Sequence, residues 1–222
     1  MIRLSGKSQP RLLFLPTASG DSSSYFETVK NYYGEKLGCE VDVLYLLNNC
    51  PSNREIREKI LGSDIIYVGG GNTLRMLKIW RKLGVDQLLE QARNKGTILA
   101  GISAGAICWF KYGNSDSLKF SDNRNPLIKL RGLDFVGTMA CPHYDVEKSR
   151  RPSLHRMIRD HGGMSIALTN CSAIEIVGDK YRVITSSPNA HAYKVHRSRG
   201  RIIEEELPAD KKYRPLEELL AK

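Results

Sequence analysis

The segment Gly101-Ile102-Ser103-Ala104-Gly105 matches the pattern G-x-S-x-G. In that pattern the serine stands on a sharp turn from a strand into a helix, and small residues flank it because the backbone is tight there. The turn lifts Oγ clear of the sheet and sets it beside the first N–H groups of a helix, where developing negative charge is favoured. The chemistry such a serine performs is nucleophilic acyl transfer. Its hydroxyl is a weak nucleophile at neutral pH, so it needs a base, and the base needs a group that holds its tautomer.

Five histidines are available: His143, His155, His161, His191 and His196. His143, in Ala140-Cys141-Pro142-His143-Tyr144-Asp145, follows a predicted strand and is expected at the same sheet edge as Ser103. His155 lies within a predicted helix, His161 precedes Gly162-Gly163, and His191 and His196 fall in a late strand pattern. For the orienting acid, Glu175 stands in the apolar run Ala173-Ile174-Glu175-Ile176-Val177, where a carboxylate is costly unless paired. Asp145 competes for the role, although a residue two beyond the base usually points away from it.

A second glycine turn, Gly69-Gly70-Gly71-Asn72-Thr73, follows the apolar run Ile65-Ile66-Tyr67-Val68. Ligands of parallel sheets bind beyond the carboxyl ends of the strands, so this turn and the serine turn are expected together. A glycine N–H there, with that of Ala104, would form an oxyanion hole. The glycines match neither G-x-G-x-x-G nor G-x-x-x-x-G-K-[ST], which argues against nucleotide binding.

The elements that must position these residues are legible as alternating strands and helices. Strands are predicted at residues 11–15, 41–47, 65–68 and 97–100. Helices are predicted at residues 22–37, from Ser52 or Asn53 to 61, at 73–82 and at 85–93. Four strand–helix units in a row imply a mostly parallel central sheet with helices on both faces, an α/β fold. After residue 110 the pattern changes. Residues 113–125 read as a loop, 135–141 as a strand and 151–160 as a helix. Short strands follow at 165–169, 173–177, 181–185 and 191–195, with a turn at Gly178-Asp179 and a final helix at 215–220. No repeat or linker interrupts residues 1–222, so one domain is expected.

Composition limits the alternatives. The net charge is +10, from 34 Lys and Arg against 24 Asp and Glu, but the basic residues are spread and lack the interleaved aromatics that stack bases. A solvated basic surface is expected, with no nucleic-acid partner. No apolar run approaches the roughly 20 residues of a membrane helix, and the N-terminus lacks a signal-peptide core, so a cytoplasmic protein is expected. The five cysteines are odd in number and form no C-x-x-C pair, which argues for buried free thiols and against a zinc site.

Val68-Gly69-Gly70-Gly71-Asn72-Thr73, Ala100-Gly101-Ile102-Ser103-Ala104-Gly105-Ala106 and Pro142-His143-Tyr144-Asp145 together resemble peptidase E, the aspartyl dipeptidase family of serine peptidases (family S51) that includes cyanophycinase. Leu13-Phe14-Leu15-Pro16-Thr17-Ala18-Ser19 resembles that family's first strand and loop, and the likeness runs from about residue 11 to 195. The resemblance implies a fold like the class I glutamine amidotransferases, flavodoxin-like, with serine in place of cysteine at the elbow. It implies a triad of Ser103, His143 and Glu175, and an oxyanion hole from the N–H groups of Gly71 and Ala104. It implies release of N-terminal aspartate from short peptides, or cleavage of β-aspartyl-arginine polymers, with no cofactor or metal. The family grips the acidic side chain with an arginine beyond the catalytic histidine. Arg150, Arg151, Arg156 and Arg159 lie there, and Arg156 and Arg159, with Asn72, are the candidate substrate contacts. Two other readings stay open. One is an esterase with the order Ser103, Asp145, His191; the other is a non-catalytic module holding an anion at the glycine turns. A monomer or homodimer is expected.

Overall fold

The run Arg11-Leu12-Leu13-Phe14-Leu15 has no polar residue after its first, and in the computed structural model, which describes residues 1–48 and 50–221, it forms a strand buried on both faces. A strand covered on both sides reads as a continuous apolar run, which is the mark of a parallel sheet between helical layers. The chain divides into two compact units, Met1–Ala106 and Ile107–Lys222.

The first unit carries β1 (Arg11–Leu15), α1 (Ser23–Val29), β2 (Glu40–Val43), α2 (Asn53–Gly62), β3 (Ile65–Val68), α3 (Thr73–Leu83), α4 (Val85–Asn94) and β4 (Ile98–Gly101). Its four strands are all parallel, in the order β2-β1-β3-β4. The chain thus steps outward from β1 to β2, then back past β1 to β3 and β4. Right-handed crossovers send α1 to one face and α2, α3 and α4 to the other, and α4 packs against both α2 and α3. The helices start where their caps lie. Ser22, Ser52 and Asn72 each accept a hydrogen bond from the backbone N–H three residues on. The predicted helix at 22–37 is α1 followed by a π-helical stretch, Lys30–Lys36.

A four-residue helix, α5 (Ala104–Ile107), crosses from the first unit into the second. The second unit continues with β5 (Phe110–Ser115), β6 (Ile128–Arg131), β7 (Val136–Cys141), α6 (Arg150–His161), β8 (Met164–Leu168), β9 (Ser172–Val177), β10 (Lys180–Thr185), β11 (Ala192–Ser198), β12 (Arg201–Glu206), β13 (Arg214–Pro215) and α7 (Leu216–Leu220). Six strands form one sheet in the order β12-β11-β8-β7-β5-β6, parallel from β5 through β7 to β8 and antiparallel beyond. A separate antiparallel sheet has the order β13-β10-β9. The α/β class stands, with the fully parallel sheet confined to the first unit.

Several elements depart from the sequence expectation, among them β13, which takes Pro215 from the start of the expected final helix. Residues 113–125 are not a loop throughout, because β5 occupies their start. Its polar Asn114 and Ser115 are fully buried; Asn114 Nδ2 donates to the Arg150 carbonyl at 3.4 Å, and the Ser115 and Ser117 hydroxyls share a bond at 2.7 Å. β6 and β12 were not anticipated. Both are edge strands, and Arg201-Ile202-Ile203-Glu204-Glu205-Glu206 pairs antiparallel with β11. No helix of the described residues is long and apolar enough to cross a membrane.

Glu204 ties β12 to α6. Its carboxylate accepts from Tyr144 Oη at 2.9 Å, from His155 Nε2 at 2.6 Å, and from the guanidinium of Arg151. Burial pushes this carboxyl up, but the hydrogen bonds from Arg151, Tyr144 and His155 outweigh it and hold the group below the usual carboxylate range. A depressed carboxyl contributes stability above its unfolded pKa of about 4.3, and that contribution is lost as pH falls through the lower folded value. Glu204→Gln is therefore expected to lower the unfolding free energy by about 1–3 kcal/mol near neutral pH. Urea titrations should show the deficit shrinking below about pH 4. A deficit independent of pH would refute the ionic role.

Candidate active site

Ser103 follows β4 directly, and its φ is 54°, a left-handed conformation that costs a non-glycine residue about 1–2 kcal/mol. Its neighbours show what enforces it. A Cβ on Gly101 would lie 2.2 Å from the Gly105 carbonyl oxygen, and a Cβ on Gly105 would lie 2.1 Å from that of Val68. The turn therefore folds back on itself and presses on the end of β3, and only glycine fits at either position. Ile102 N–H donates to the Val68 carbonyl at 3.2 Å, continuing the register Val68↔Gly101 past the end of the strands.

The second glycine turn lies against the first, as expected. A Cβ on Gly70 would be 3.5 Å from Ser103 Cβ. Gly71 has φ 133°, and a Cβ there would meet the Ala18 carbonyl oxygen at 2.3 Å. Asn72 N–H donates to the same oxygen at 2.8 Å. The loop after β1 thus braces the loop after β3, at the point where the strand order reverses. Ala104 opens α5, and the first N–H groups of a helix lack partners within it. With only four residues, α5 carries little macrodipole, so any help to an oxyanion comes from individual N–H groups.

His143 follows β7, which belongs to the six-stranded sheet and not, as expected, to the sheet that carries Ser103. It too has a left-handed backbone, φ 56°. Its Nδ1 lies 2.9 Å from Asn170 Oδ1. Asn170 N–H donates to Asp145 Oδ1 at 3.0 Å, and Tyr144 N–H donates to the Leu168 carbonyl at 3.0 Å.

The expectation that Glu175 orients His143 is corrected by these bonds. Glu175 lies on β9 opposite Arg182 of β10, and its Oε1 accepts from Arg182 Nε and Tyr213 Oη, each at 2.6 Å. Burial pushes its carboxyl up, and Arg182 and Tyr213 more than offset that, so it stays below its usual range. The carboxylate in this apolar run is paired, but with an arginine, on a strand face where Ala173 and Val177 are exposed. Asp145 engages the Asn170 backbone and not an imidazole, and His191 Nδ1 is held by Glu206 at 2.6 Å. The esterase order Ser103, Asp145, His191 is thus left without its acid–histidine bond. Asn170 was missed, although it directly follows the predicted strand 165–169.

Among the candidate substrate contacts, Asn72 caps α3 through Oδ1, 3.0 Å from Arg75 N. Arg150 is buried and paired with Glu147 and Asp116, and Arg151 is paired with Glu204. Arg156 and Arg159 are exposed on α6. A cleft of about 570 Å³ opens in the second unit beside Lys119, Phe120, Glu147, Lys148 and Ser149, close in sequence to His143. The five cysteines are free, but only Cys39, Cys108 and Cys141 are buried. Cys50 and Cys171 are exposed, against expectation. Among the described residues no cluster of three or more His, Cys, Asp or Glu could hold a metal ion.

Comparison with known proteins places this geometry in context. The model of peptidase family S51 matches residues 1–184. The uncharacterized peptidase YgaJ of Bacillus subtilis (strain 168) is 38% identical over 210 residues, covering 94% of this chain and 87% of the relative. Peptidase E of Nostoc sp. (strain PCC 7120) is 30% identical over 149 residues, covering 63% and 54% respectively. The crystal structure of a peptidase from an acI-B1 Actinobacterium shares the fold with a TM-score of 0.71 at 20% identity, covering 96% of this chain and 87% of that one.

The strain at Ser103 is measurable. Ser103→Gly removes the Cβ that disfavours φ 54°, whereas Ser103→Ala keeps it. The glycine variant is expected to be the more stable of the two by about 1 kcal/mol, or about 2–4 °C in Tm by calorimetry. An alanine variant at least as stable as the glycine variant would contradict the strained backbone.

Proposed function

This chain belongs to peptidase family S51 and is a peptidase, and from that premise we propose that it hydrolyses short peptides through an acyl-enzyme on Ser103, with dipeptides bearing an N-terminal aspartate as its first substrates. The observation that carries the reading is the left-handed Ser103 on a glycine-enforced turn, packed against Gly70.

In this mechanism His143 takes the proton from Ser103 Oγ as the oxygen attacks the peptide carbonyl. The N–H groups of Gly71 and Ala104 stabilise the tetrahedral oxyanion. His143 then gives its proton to the leaving amine as the C–N bond breaks, and the acyl-enzyme remains. Water, deprotonated by the same histidine, attacks the ester, and Ser103 is released with its proton restored. No metal or cofactor enters these steps.

The preference for aspartate draws on the likeness to a relative named peptidase E, on the net charge of +10, and on the exposed Arg156 and Arg159 beyond His143. Those two arginines and Asn72 are the side chains we assign to substrate binding. We assign the activity to the cytoplasm and to residues 1–222 acting as one catalytic domain, as a monomer or homodimer with no nucleic-acid partner.

The test is hydrolysis of a panel of Asp-Xaa and non-acidic dipeptides by the wild type and by Ser103→Ala. The variant is expected to lose about 10³-fold or more in kcat/KM, and a fluorophosphonate probe is expected to label Ser103 in the wild type alone. Undiminished hydrolysis by Ser103→Ala would end the assignment. Equal turnover of the non-acidic peptides would end the aspartyl preference.

A further inference from the structure

We propose that Arg75 is a positioning residue for the oxyanion site: its guanidinium holds the Ala18 carbonyl, and that carbonyl sets the direction of the Gly71 N–H. The inference rests on the role given to Gly71 above and deepens it.

Among the described residues the Gly71 N–H makes no hydrogen bond, whereas the amides on either side are engaged. Gly70 N–H reaches Tyr25 Oη at 3.5 Å, and Asn72 N–H donates to the Ala18 carbonyl at 2.8 Å. An N–H without a partner keeps its direction only through the rigid peptide units that flank it. Gly71 has φ 133°, and a glycine backbone reaches many other conformations as readily, so the chain's own preference does not fix it. The restraint comes from the Ala18 oxygen, which lies so close that a Cβ on Gly71 would stand 2.3 Å from it.

Arg75 supplies the second bond to that oxygen. Its Nη2 donates at 3.1 Å. The same residue is tied to the glycine turn through its backbone, because Arg75 N–H donates to Asn72 Oδ1 at 3.0 Å. The bonds close a ring, from the Ala18 oxygen to Asn72, from Asn72 to Arg75, and from the guanidinium back to Ala18. A carbonyl oxygen has two lone pairs, so neither donor displaces the other. Gly20 makes room for the guanidinium. It has φ 80°, and a Cβ on it would lie 3.3 Å from Arg75 Nη2. Further along α3, Trp80 Nε1 donates to Thr17 Oγ1 at 3.3 Å, so the helix grips the loop after β1 at two points. The indole is the buried grip and the guanidinium the exposed one. Among the described residues no carboxylate pairs with Arg75, so a salt bridge does not account for it.

The experiment combines kinetics on Asp-Xaa dipeptides with amide hydrogen exchange, in the wild type and in Arg75→Ala, Arg75→Lys and Lys78→Ala. Removing an oxyanion donor outright costs about 10²–10³-fold in kcat, so loosening one in Arg75→Ala is expected to cost about 10-fold, with KM little changed. Affinity for a peptide aldehyde, whose hemiacetal oxygen on Ser103 takes the oxyanion's place, is expected to fall by a similar factor. Exchange at the Asn72 N–H is expected to quicken by about 10-fold, since its acceptor is no longer held. Arg75→Lys keeps a charged donor and is expected to recover most of each loss. Lys78→Ala removes the same charge from another exposed position of α3 and is expected to behave as the wild type.

Unchanged kcat or unchanged Asn72 exchange in Arg75→Ala would overturn the proposal. So would an equal loss in Lys78→Ala, which would make the effect one of overall charge. The exchange result stands apart from the peptidase reading. If Ser103→Ala keeps full hydrolysis, the acyl-enzyme mechanism fails, while exchange at Asn72 still reports whether Arg75 holds the turn.

Discussion

The Gly105 Cα lies so close to the Val68 carbonyl oxygen that a single methyl group there would stand 2.1 Å from it, and the rest of the first unit's chemistry depends on that contact. It leaves the chain no room for an ordinary exit from β4, so the backbone turns back at once and Ser103 takes a left-handed φ. The strain of about 1–2 kcal/mol is offset by the burial around it. The Val68 and Ile66 side chains of β3 and the whole apolar part of β1 are buried, which makes the strand ends rigid enough to hold the turn. The brace from Ala18 to Gly71 and Asn72 extends the same logic to the adjacent loop.

The second unit solves a comparable problem by hydrogen bonding rather than by close packing. His143 is also left-handed, and bonds from residues 143–145 to residues 168–170 hold it there. Two non-glycine residues, Ser103 and His143, therefore both sit in a conformation that a side chain disfavours. Such strain persists only where the surroundings over-determine it, and both sites meet that condition by different means.

Charge is distributed with the same economy. The chain is strongly basic overall, and three of its part-buried carboxylates are matched to specific donors: Glu175 to Arg182 and Tyr213, Glu204 to Arg151, Tyr144 and His155, and Glu147 to the buried Arg150. Each pairing joins residues on different elements or turns. An apolar strand containing a lone glutamate thus signals a partner, but the partner is whatever cation the neighbouring strand presents.

The sequence by itself determined the elbow, the parallel strands of the first unit and most element boundaries. These depend on local quantities: glycine spacing, continuous apolar runs, and the capping serines and asparagine at the helix starts. It also singled out His143, because a histidine directly after a strand end is a local pattern. It did not reveal β5, whose buried Asn114 and Ser115 bond to the Arg150 carbonyl and the Ser117 hydroxyl, nor the edge strand β12, a charge-rich segment that pairs with β11. Nor could it decide between Glu175 and Asn170. Both follow His143 by about thirty residues, and both lie in or beside predicted strands. Only the pairing of β7 with β8, and of β9 with β10 in a separate sheet, set the amide beside the imidazole and the carboxylate beside Arg182. A side chain's type is written in the sequence, but its partner is a property of strand register, which tertiary pairing alone decides.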